Sequence, residues 1–196
     1  MFRVGLTGGI GSGKTLASSI FEKLGVPVYY ADTAARELMN SDAGLKGDIV
    51  SLFGDQAYGK DGLNRQYLAD SVFGDPVKLA GLNRLVHPAV RLDFKRWTAE
   101  QSGSPYVIEE AAILFESGAS QEMNLSVLVY APEELRISRV MKRDGVDREA
   151  VQRRMGHQLS EEEKMEKADF VLINDGKEML LPQVVELHNK ILNSIE

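Results

Sequence analysis

Residues 8–15 read Gly8-Gly9-Ile10-Gly11-Ser12-Gly13-Lys14-Thr15 and match the pattern G-x-x-x-x-G-K-[ST]. The apolar run Phe2–Thr7 predicts a strand before this stretch, and a helical pattern follows it as far as Gly25. Glycines in such a loop let backbone N–H groups close around phosphate oxygens, and the N-terminus of the following helix faces the same anion. In this arrangement Lys14 reaches the β- and γ-phosphates and the Thr15 hydroxyl binds Mg²⁺. The stretch from Gly9 to Thr15 therefore predicts a site for a nucleoside triphosphate and its Mg²⁺.

The apolar runs outside this loop predict a parallel sheet. Short segments that are apolar on both faces alternate with amphipathic helical patterns, as in a sheet covered by helices on both sides. The closing segment has an apolar stripe of helical period from Leu180 to Ile195. This alternation predicts an α/β fold with a five-stranded parallel sheet flanked by helices. The predicted strands are Phe2–Thr7, Val26–Tyr30, Tyr106–Ile108, Ser126–Tyr130 and Phe170–Ile173.

Two helical stretches interrupt the alternation. Residues 33–102 contain no convincing strand, and Asp75-Pro76 within them predicts a helix start. Residues 133–167 are helical and rich in charge, with Ser160 and Glu163 at the spacing of a capping box. We therefore expect a single domain over residues 1–196, with its core at about 1–32, 103–135 and 168–196. Helical inserts would occupy about 33–102 and about 136–167.

Composition excludes several classes of protein. The chain has 196 residues and no cysteine, which excludes disulfides, thiolate metal sites and a cysteine nucleophile, and favours a reducing compartment such as the cytoplasm. No apolar run approaches the roughly 20 residues of a membrane-spanning helix, so we expect no membrane partner. The formal charge of −6 argues against a nucleic-acid partner. Yet residues 84–96 hold four basic residues and one acidic residue, and residues 136–154 hold seven basic and three acidic residues. Two basic regions therefore lie in an acidic chain.

Three classes of triphosphate-binding protein compete at this point. A switch GTPase would need an N-K-x-D segment to recognise guanine, and Asn174-Asp175-Gly176-Lys177 has the wrong order. A motor or switch ATPase usually has an apolar strand that ends in acids, as Tyr106–Glu110 does. Small-molecule kinases have the same acidic strand end, so this feature does not separate the last two classes.

The second basic region favours a kinase. Arg136, Arg139 and Arg143 have the i, i+3, i+7 spacing that places them on one helix face. Phosphoryl transfer needs such groups, because an arginine that neutralises the transferring group can raise the rate by about 10³–10⁵. A mobile insert would also exclude water from the reaction. The competing interpretation is an ordinary solvated helix face.

Asp32 is a candidate for the acceptor side of the reaction. It follows the second predicted strand at its carboxyl end, the edge where open α/β sheets bind their ligands. A carboxylate there can orient an attacking hydroxyl and accept its proton. It can equally well serve as the cap of a helix over Thr33–Met39. The residues alone leave these two roles open.

Taken together, the motifs resemble those of the dephospho-coenzyme A kinases. The resemblance runs from end to end, in order and at compatible spacing. It comprises Leu6–Thr15, Ala31-Asp32-Thr33-Ala34-Ala35-Arg36, Leu85-Val86-His87-Pro88, Ile113-Leu114-Phe115-Glu116, Arg143-Asp144-Gly145, Arg154 with Gln158, Ala168-Asp169, and Asn174-Asp175-Gly176.

This resemblance implies ATP-dependent phosphorylation of the ribose 3′-hydroxyl of dephospho-coenzyme A, the last step of coenzyme A synthesis. It implies a P-loop kinase fold, in which the first insert binds the acyl-carrier half of the substrate and the second is the lid. It makes Asp32 the general base, with Lys14, Arg139 and Arg143 as further catalytic residues. It also implies that Asn174 and Gly176 form part of the adenine site. The expected partners are ATP, Mg²⁺ and dephospho-coenzyme A, for a monomer or small homo-oligomer.

The chain also departs from the family pattern. Tyr30-Ala31-Asp32 stands where the family often has Asp-Ala-Asp, so Mg²⁺ would rely on Thr15 and water, with Glu109 or Glu110 as further candidates. Ala112 occupies a position where proline is common. For the substrate we expect contacts from Asp32 and from four further residues. These are His87, Arg84, Arg91 and Glu110.

The basic residues around His87 suit a pyrophosphate, whereas a histidine before proline at a helix junction can also be a structural cap. The remaining alternatives for the whole chain are another small-molecule kinase, of the nucleoside monophosphate type, and a regulatory ATPase. The first insert with His87-Pro88 favours the dephospho-coenzyme A kinase over both.

Overall fold

The computed structural model describes residues 1–195 of the chain. By their internal contacts these residues form two compact units. The first consists of Met1–Tyr30 together with the chain from Thr98 onward, and the second of Ala31–Trp97. Within the described residues, none of the helices combines the length and the apolar character needed to cross a bilayer.

The first unit is built on a parallel sheet of five strands, β1 (Phe2–Thr7), β2 (Val28–Tyr30), β5 (Tyr106–Glu110), β6 (Leu125–Tyr130) and β7 (Phe170–Ile173). Their order across the sheet is β2-β5-β1-β6-β7. All four pairings are parallel, and the central strand β1 pairs Phe2 with Tyr106 on one side and Val4 with Leu125 on the other. The predicted α/β fold with a five-stranded parallel sheet is therefore confirmed.

Helices cover this sheet. On one side, apolar residues of β1 and β6 pack against Phe21 of α1 and against Val184 and Ile191 of α9, which form one buried cluster. Such burial is the main stabilising contribution to a fold of this kind. The helices of this unit are α1 (Lys14–Lys23), α6 (Glu133–Asp144), α7 (Arg148–Met155), α8 (Glu161–Lys167) and α9 (Leu180–Ile195), with a 3₁₀ turn at Ala119–Glu122.

The second unit is mainly helical. Leu45, Ile49 and Leu68 are among its buried residues. Its elements are α2 (Ala31–Ser41), α3 (Ala43–Phe53), a 3₁₀ turn at Asp55–Ala57, the strands β3 (Tyr58–Gly59) and β4 (Gly62–Leu63), α4 (Arg65–Val72) and α5 (Pro76–Glu100), which continues past the last residue of the unit. The antiparallel pair β3–β4 corrects the expectation that residues 33–102 contain no strand.

Two predicted helix starts are confirmed. Asp75 accepts hydrogen bonds from the N–H groups of Val77 and Lys78 at the start of α5. Ser160 and Glu163 form both hydrogen bonds of a capping box at the start of α8. The junction expected at His87-Pro88 is wrong, because Pro88 lies in the interior of α5.

Candidate active site

The loop between β1 and α1 has a backbone that favours glycine. Gly11 has φ 81° and Gly13 has φ 99°, and a methyl group on Gly13 would overlap the side-chain amide of Asn174. The Lys14 ammonium donates to the carbonyl oxygen of Gly8 at 2.9 Å, and the N-terminus of α1 lies directly at the loop. Thr15, in the first turn of α1, is exposed. A backbone cradle with one cation and a helix N-terminus suits a polyphosphate.

Asn174 supports the loop from the turn between β7 and α9. Its side-chain nitrogen Nδ2 donates to the carbonyl oxygen of Ser12 at 2.7 Å, and its backbone N–H donates to Tyr130 at the end of β6. Gly176 follows with φ 83°. The two residues predicted for the adenine site thus lie in one turn, and Asn174 is in contact with the loop. Their contact with a nucleotide stays a prediction.

The three arginines of the second basic region lie on one helix, α6, but have different environments. Arg136 is 4% exposed and donates from Nε to the Ala131 carbonyl oxygen at 3.1 Å. Arg139 is half-buried and donates from Nη2 to the Asn174 carbonyl oxygen at 3.0 Å, with the Gly11 and Ser12 carbonyl oxygens at 3.4 and 3.5 Å from Nη1. Arg143 is exposed and binds its neighbour Asp144. Arg139 therefore contacts two carbonyl oxygens of the loop and one of the Asn174 turn, whereas Arg143 faces solvent.

A buried ion pair lies beside Gly9. The Arg136 guanidinium nitrogen Nη1 is 3.6 Å from Oε1 of Glu161 on α8, and both side chains are almost completely buried. A methyl group on Gly9 would overlap both of them. Glu161 was not among the predicted site residues, since its partner lies on another helix and sequence spacing gives no signal for such a pair. The spacing places Arg136 on a basic helix face, either for phosphoryl transfer or facing solvent, whereas in the structure it is buried and paired with a carboxylate.

Gln158, in the turn between α7 and α8, also contacts the loop. Its Oε1 accepts a hydrogen bond from the Ile10 N–H at 3.0 Å, and its Nε2 donates to the Ala112 carbonyl oxygen at 2.9 Å. The Ile10 amide, predicted to bind phosphate, is therefore occupied by a side chain in this structure. From the sequence, Gln158 was only part of a family motif. Its function here was not predictable, because it depends on which loop the side chain reaches.

The carboxyl edge of the sheet holds an acidic group beside the loop. Glu110 ends β5, and its register partners are Leu6 of β1 and Tyr30 of β2. Burial, a hydrogen bond to Glu22, and the charges of Glu22 and Glu110 raise the pKa of Tyr30 to about 12. Tyr30, which stands where the family often has a carboxylate, is therefore a neutral phenol at physiological pH. Glu109, the neighbour of Glu110, is 3% exposed.

The other predicted substrate residues belong to the second unit. Helix α2 begins at Ala31, so Asp32 lies exposed in its first turn and not before a helix at Thr33. Within residues 1–195 the structure gives the Asp32 carboxylate no hydrogen bond, so it does not serve as a helix cap, the alternative that the residues alone left open. An acid in this position interacts favourably with the helix dipole while staying accessible.

Arg84, His87 and Arg91 share one face of α5 through their i, i+3, i+7 spacing. His87 and Arg91 are half-buried and Arg84 is exposed. Burial lowers the pKa of His87, and the charge of Arg91 lowers it further. His87 is therefore a neutral hydrogen-bonding group near pH 7, flanked by two arginines that can face an anion.

The oxygen donors near the loop are suited to Mg²⁺. Within the described part of the chain, no three histidine, cysteine, aspartate or glutamate side chains form a ready metal cluster. Mg²⁺ in phosphate-transfer sites commonly has one or two protein ligands, with the remaining positions taken by phosphate oxygens and water. The exposed Thr15 hydroxyl and the carboxylate of Glu110 at the neighbouring strand end are ligands of the right type.

Comparisons with known proteins agree with this geometry. The sequence model of a family described as dephospho-CoA kinase matches residues 2–179. A dephospho-CoA kinase of Salinibacter ruber is 45% identical over 179 residues, which cover 90% of each chain. A dephospho-CoA kinase of Bacteroides fragilis is 38% identical over 185 residues, which cover 94% of this chain and 90% of that one.

Solved structures give the same result. A protein of Thermus thermophilus matches with a TM-score of 0.84 and 33% identity, covering 100% of this chain and 98% of that one. A dephospho-CoA kinase from Campylobacter jejuni matches with a TM-score of 0.72 and 26% identity, covering 99% and 98%. A shikimate kinase from Acinetobacter baumannii shares the fold alone, with a TM-score of 0.57 and 15% identity. With a phosphate-binding loop in the expected setting and relatives that match along almost the whole length, this chain is a kinase and belongs to the dephospho-CoA kinase family.

Proposed function

We propose that this chain transfers the γ-phosphoryl group of ATP to the ribose 3′-hydroxyl of dephospho-CoA, which gives CoA and ADP and completes CoA synthesis. The observation that carries this proposal is the phosphate-binding loop Gly8–Thr15 within a chain that matches the dephospho-CoA kinase family over residues 2–179. In the reaction, the 3′-oxygen forms a bond to the γ-phosphorus while the bond from that phosphorus to the bridging β–γ oxygen breaks. The hydroxyl proton leaves to a base.

On the donor side, Lys14 and the loop amides other than those of Ile10 and Ser12, which have partners within the protein, bind the β- and γ-phosphates. Arg139, held against the carbonyl oxygens of Gly11, Ser12 and Asn174, lies at the loop and supplies positive charge beside the triphosphate. Arg143 is exposed at the end of α6, and we propose that it reaches the transferring group when residues 136–167 close as a lid. Asn174 and Gly176 form one wall of the adenine site.

Mg²⁺, when bound, neutralises phosphate charge and orients the triphosphate. The hydroxyl of Thr15 is its proposed protein ligand, and the carboxylate of Glu110 is a second candidate. Neutral Tyr30 contributes no negative charge to the proposed Mg²⁺ site, unlike the aspartate that the family often has at this position.

On the acceptor side, Asp32 accepts the proton of the 3′-hydroxyl. Its carboxylate is exposed and, among the residues described, has no competing hydrogen bond, so it is accessible to a substrate hydroxyl. Arg84, His87 and Arg91 bind the pyrophosphate of dephospho-CoA, because two guanidinium groups and a neutral imidazole on one helix face provide several hydrogen-bond donors for an anion. Glu110, in the first unit, is a further proposed contact for the substrate.

The test is a turnover assay with purified protein and MgATP. We expect ADP formation that depends on dephospho-CoA, and a product with one additional phosphate on the ribose 3′-oxygen. A panel of nucleoside monophosphates should give no comparable turnover. ADP formation without any acceptor, or with a nucleoside monophosphate only, would refute the proposal in favour of a regulatory ATPase or a nucleotide kinase.

A further inference from the structure

Ile10 of the phosphate-binding loop is anchored to the segment that follows β6 in two ways. Its side chain packs against the buried cluster of Ile137, Val140 and Val151, which joins α6 to α7. Its backbone N–H donates to Oε1 of Gln158 at 3.0 Å. Because both contacts converge on one residue of a glycine-rich loop, they restrict the peptide that precedes it.

That peptide, between Gly9 and Ile10, is fixed at both ends. Its carbonyl oxygen, on Gly9, accepts a hydrogen bond from the Ser12 N–H at 3.0 Å. Its N–H, on Ile10, is bound by Gln158. Glycine imposes little restriction on its own dihedral angles, so a peptide next to Gly9 could rotate and turn its carbonyl toward the phosphates. The two hydrogen bonds prevent this rotation and preserve the orientation of the loop amides.

The Gln158 side chain is itself held in place by its surroundings. Its Nε2 donates to the Ala112 carbonyl oxygen, two residues beyond the end of β5. The N–H of the next residue, Leu159, donates to Oε1 of Glu116 at 2.8 Å, and the buried Lys164 ammonium is 3.6 Å from the same oxygen. A side chain supported on both sides is suited to position another group accurately.

We infer that Gln158 is a positioning residue for the donor phosphates. Through its amide it fixes the Gly9–Ile10 peptide and links the loop to the end of β5 and to the α7–α8 turn. The position of residues 136–167 therefore controls the geometry in which the loop receives ATP. This inference concerns ATP binding and goes beyond the proposed reaction, although its effect on turnover depends on that reaction.

The substitutions Q158M and Q158E test it by calorimetric measurement of ATP affinity in the presence of Mg²⁺. Q158M keeps the length of the side chain and removes both hydrogen bonds, so we expect the Kd for ATP to rise about tenfold. Q152M is the matched control, since Gln152 is exposed on α7. It should bind ATP as the unaltered protein does.

Q158E gives a pH-dependent ATP affinity, which Gln158 would not produce if it only stabilised the fold. An ionised glutamate cannot donate to the Ala112 carbonyl and adds a negative charge near the phosphates. A protonated glutamate has one donor and one acceptor and restores both hydrogen bonds. Burial beside a carbonyl raises a carboxyl pKa, so the glutamate of Q158E should become protonated as the pH falls. The quantity to compare is the Kd of Q158E for ATP divided by that of the unaltered protein at the same pH. We expect this ratio to fall several-fold between about pH 8 and about pH 5.5.

An unchanged Kd for Q158M, or a ratio for Q158E that is independent of pH, would overturn the inference. If Q158M does not fold, as judged by its thermal transition, Q158E at the two pH values decides the question alone. Because the Kd is measured without acceptor, the result does not depend on the proposed reaction. A protein that binds ATP but forms no ADP with dephospho-CoA would refute the proposed function and leave the Q158M and Q158E results to decide this inference.

Discussion

Asp32 is exposed in the first turn of α2, and this accessibility decides what its substitution should do. Asp32→Asn removes the proton acceptor but keeps the size of the side chain. We expect kcat to fall by about 10²–10⁴, the usual contribution of general base catalysis, while the KM for ATP changes little. Steady-state kinetics with dephospho-CoA measure both constants.

The control for this substitution is Asp48→Asn, which alters another exposed aspartate in the second unit. It should leave both constants unchanged. An Asp32→Asn protein that is folded and retains full kcat would show that Asp32 is not the base.

The buried hydroxyl of Tyr106 predicts a pH-dependent contribution to stability. It lies 2.7 Å from Nδ1 of His188, so β5 is joined to α9 when that nitrogen is unprotonated and accepts. Burial lowers the pKa of His188, so protons bind the unfolded chain better than the folded one. The stabilisation that comes from a neutral His188 is therefore fully present above the unfolded pKa of about 6.5, and it is lost as the pH falls through the folded pKa.

We expect Tyr106→Phe to lower the free energy of unfolding by about 1 kcal/mol at about pH 8 and by clearly less at about pH 5.5. Urea unfolding at the two pH values measures the difference. Tyr67→Phe is the control, because the Tyr67 hydroxyl donates to the Phe53 carbonyl, which does not titrate. The same loss at both pH values for Tyr106→Phe would contradict the role of His188.

At the scale of elements, α6 and α8 are joined by the buried pair of Arg136 and Glu161. Removing one charge of such a pair leaves the other buried without a partner, which costs about 3–5 kcal/mol, whereas apolar replacement of both is often neutral. We therefore expect Arg136→Met to destabilise the fold by about that amount in urea unfolding, and Arg136→Met with Glu161→Leu to recover most of the loss.

The exposed pair of Arg148 and Glu134 provides the comparison within the same segment. Arg148→Met should leave the free energy of unfolding nearly unchanged, because solvent screens the pair. If Arg136→Met were as stable as the unaltered protein, the buried pair would have no structural importance.

The elements show where prediction from sequence succeeds. The five strands were found because short runs that are apolar on both faces, between helical patterns, are typical of buried parallel strands. The pair β3–β4 was missed, since strands of two residues beside Gly59 and Gly62 have no periodicity to detect. Pro88 was placed at a junction because proline usually ends a helix, yet α5 continues through it. Tertiary packing outweighs local preference at such positions.

For the candidate site, the loop and its lysine were predictable because their spacing alone defines the backbone cradle. The partners of the loop were not. Gln158, Glu161 and the contact of Asn174 with Ser12 depend on side chains that approach from distant parts of the chain. Charge counting placed Arg136 and Arg139 in one group, whereas burial separates them.

At the scale of the whole molecule, ATP binding should appear as a gain in stability. A ligand at about 100 times its Kd adds about 2.7 kcal/mol, which corresponds to a rise in Tm of roughly 5–10 °C for a chain of this size. We expect MgATP to produce such a shift and Lys14→Ala to lose most of it. Thermal unfolding with and without MgATP measures the effect.

Lys23→Ala, at the exposed last position of α1, is the control and should keep the full shift. A Lys14→Ala protein that is stabilised by MgATP as much as the unaltered one would contradict the assignment of the phosphate site.

The hydrogen bond from Asn174 to Ser12 joins two parts of the chain that the ribosome makes at different times. Synthesis runs from the N-terminus to the C-terminus, so β1 and the loop leave the ribosome before the other elements described here. The strands that flank β1 follow about a hundred residues later, and the side chain that supports Ser12 comes after all of them. A nascent chain therefore carries the complete phosphate-binding motif before the support for Ser12 exists, and we expect ATP to stabilise the fold only once β7 and the turn beyond it are in place.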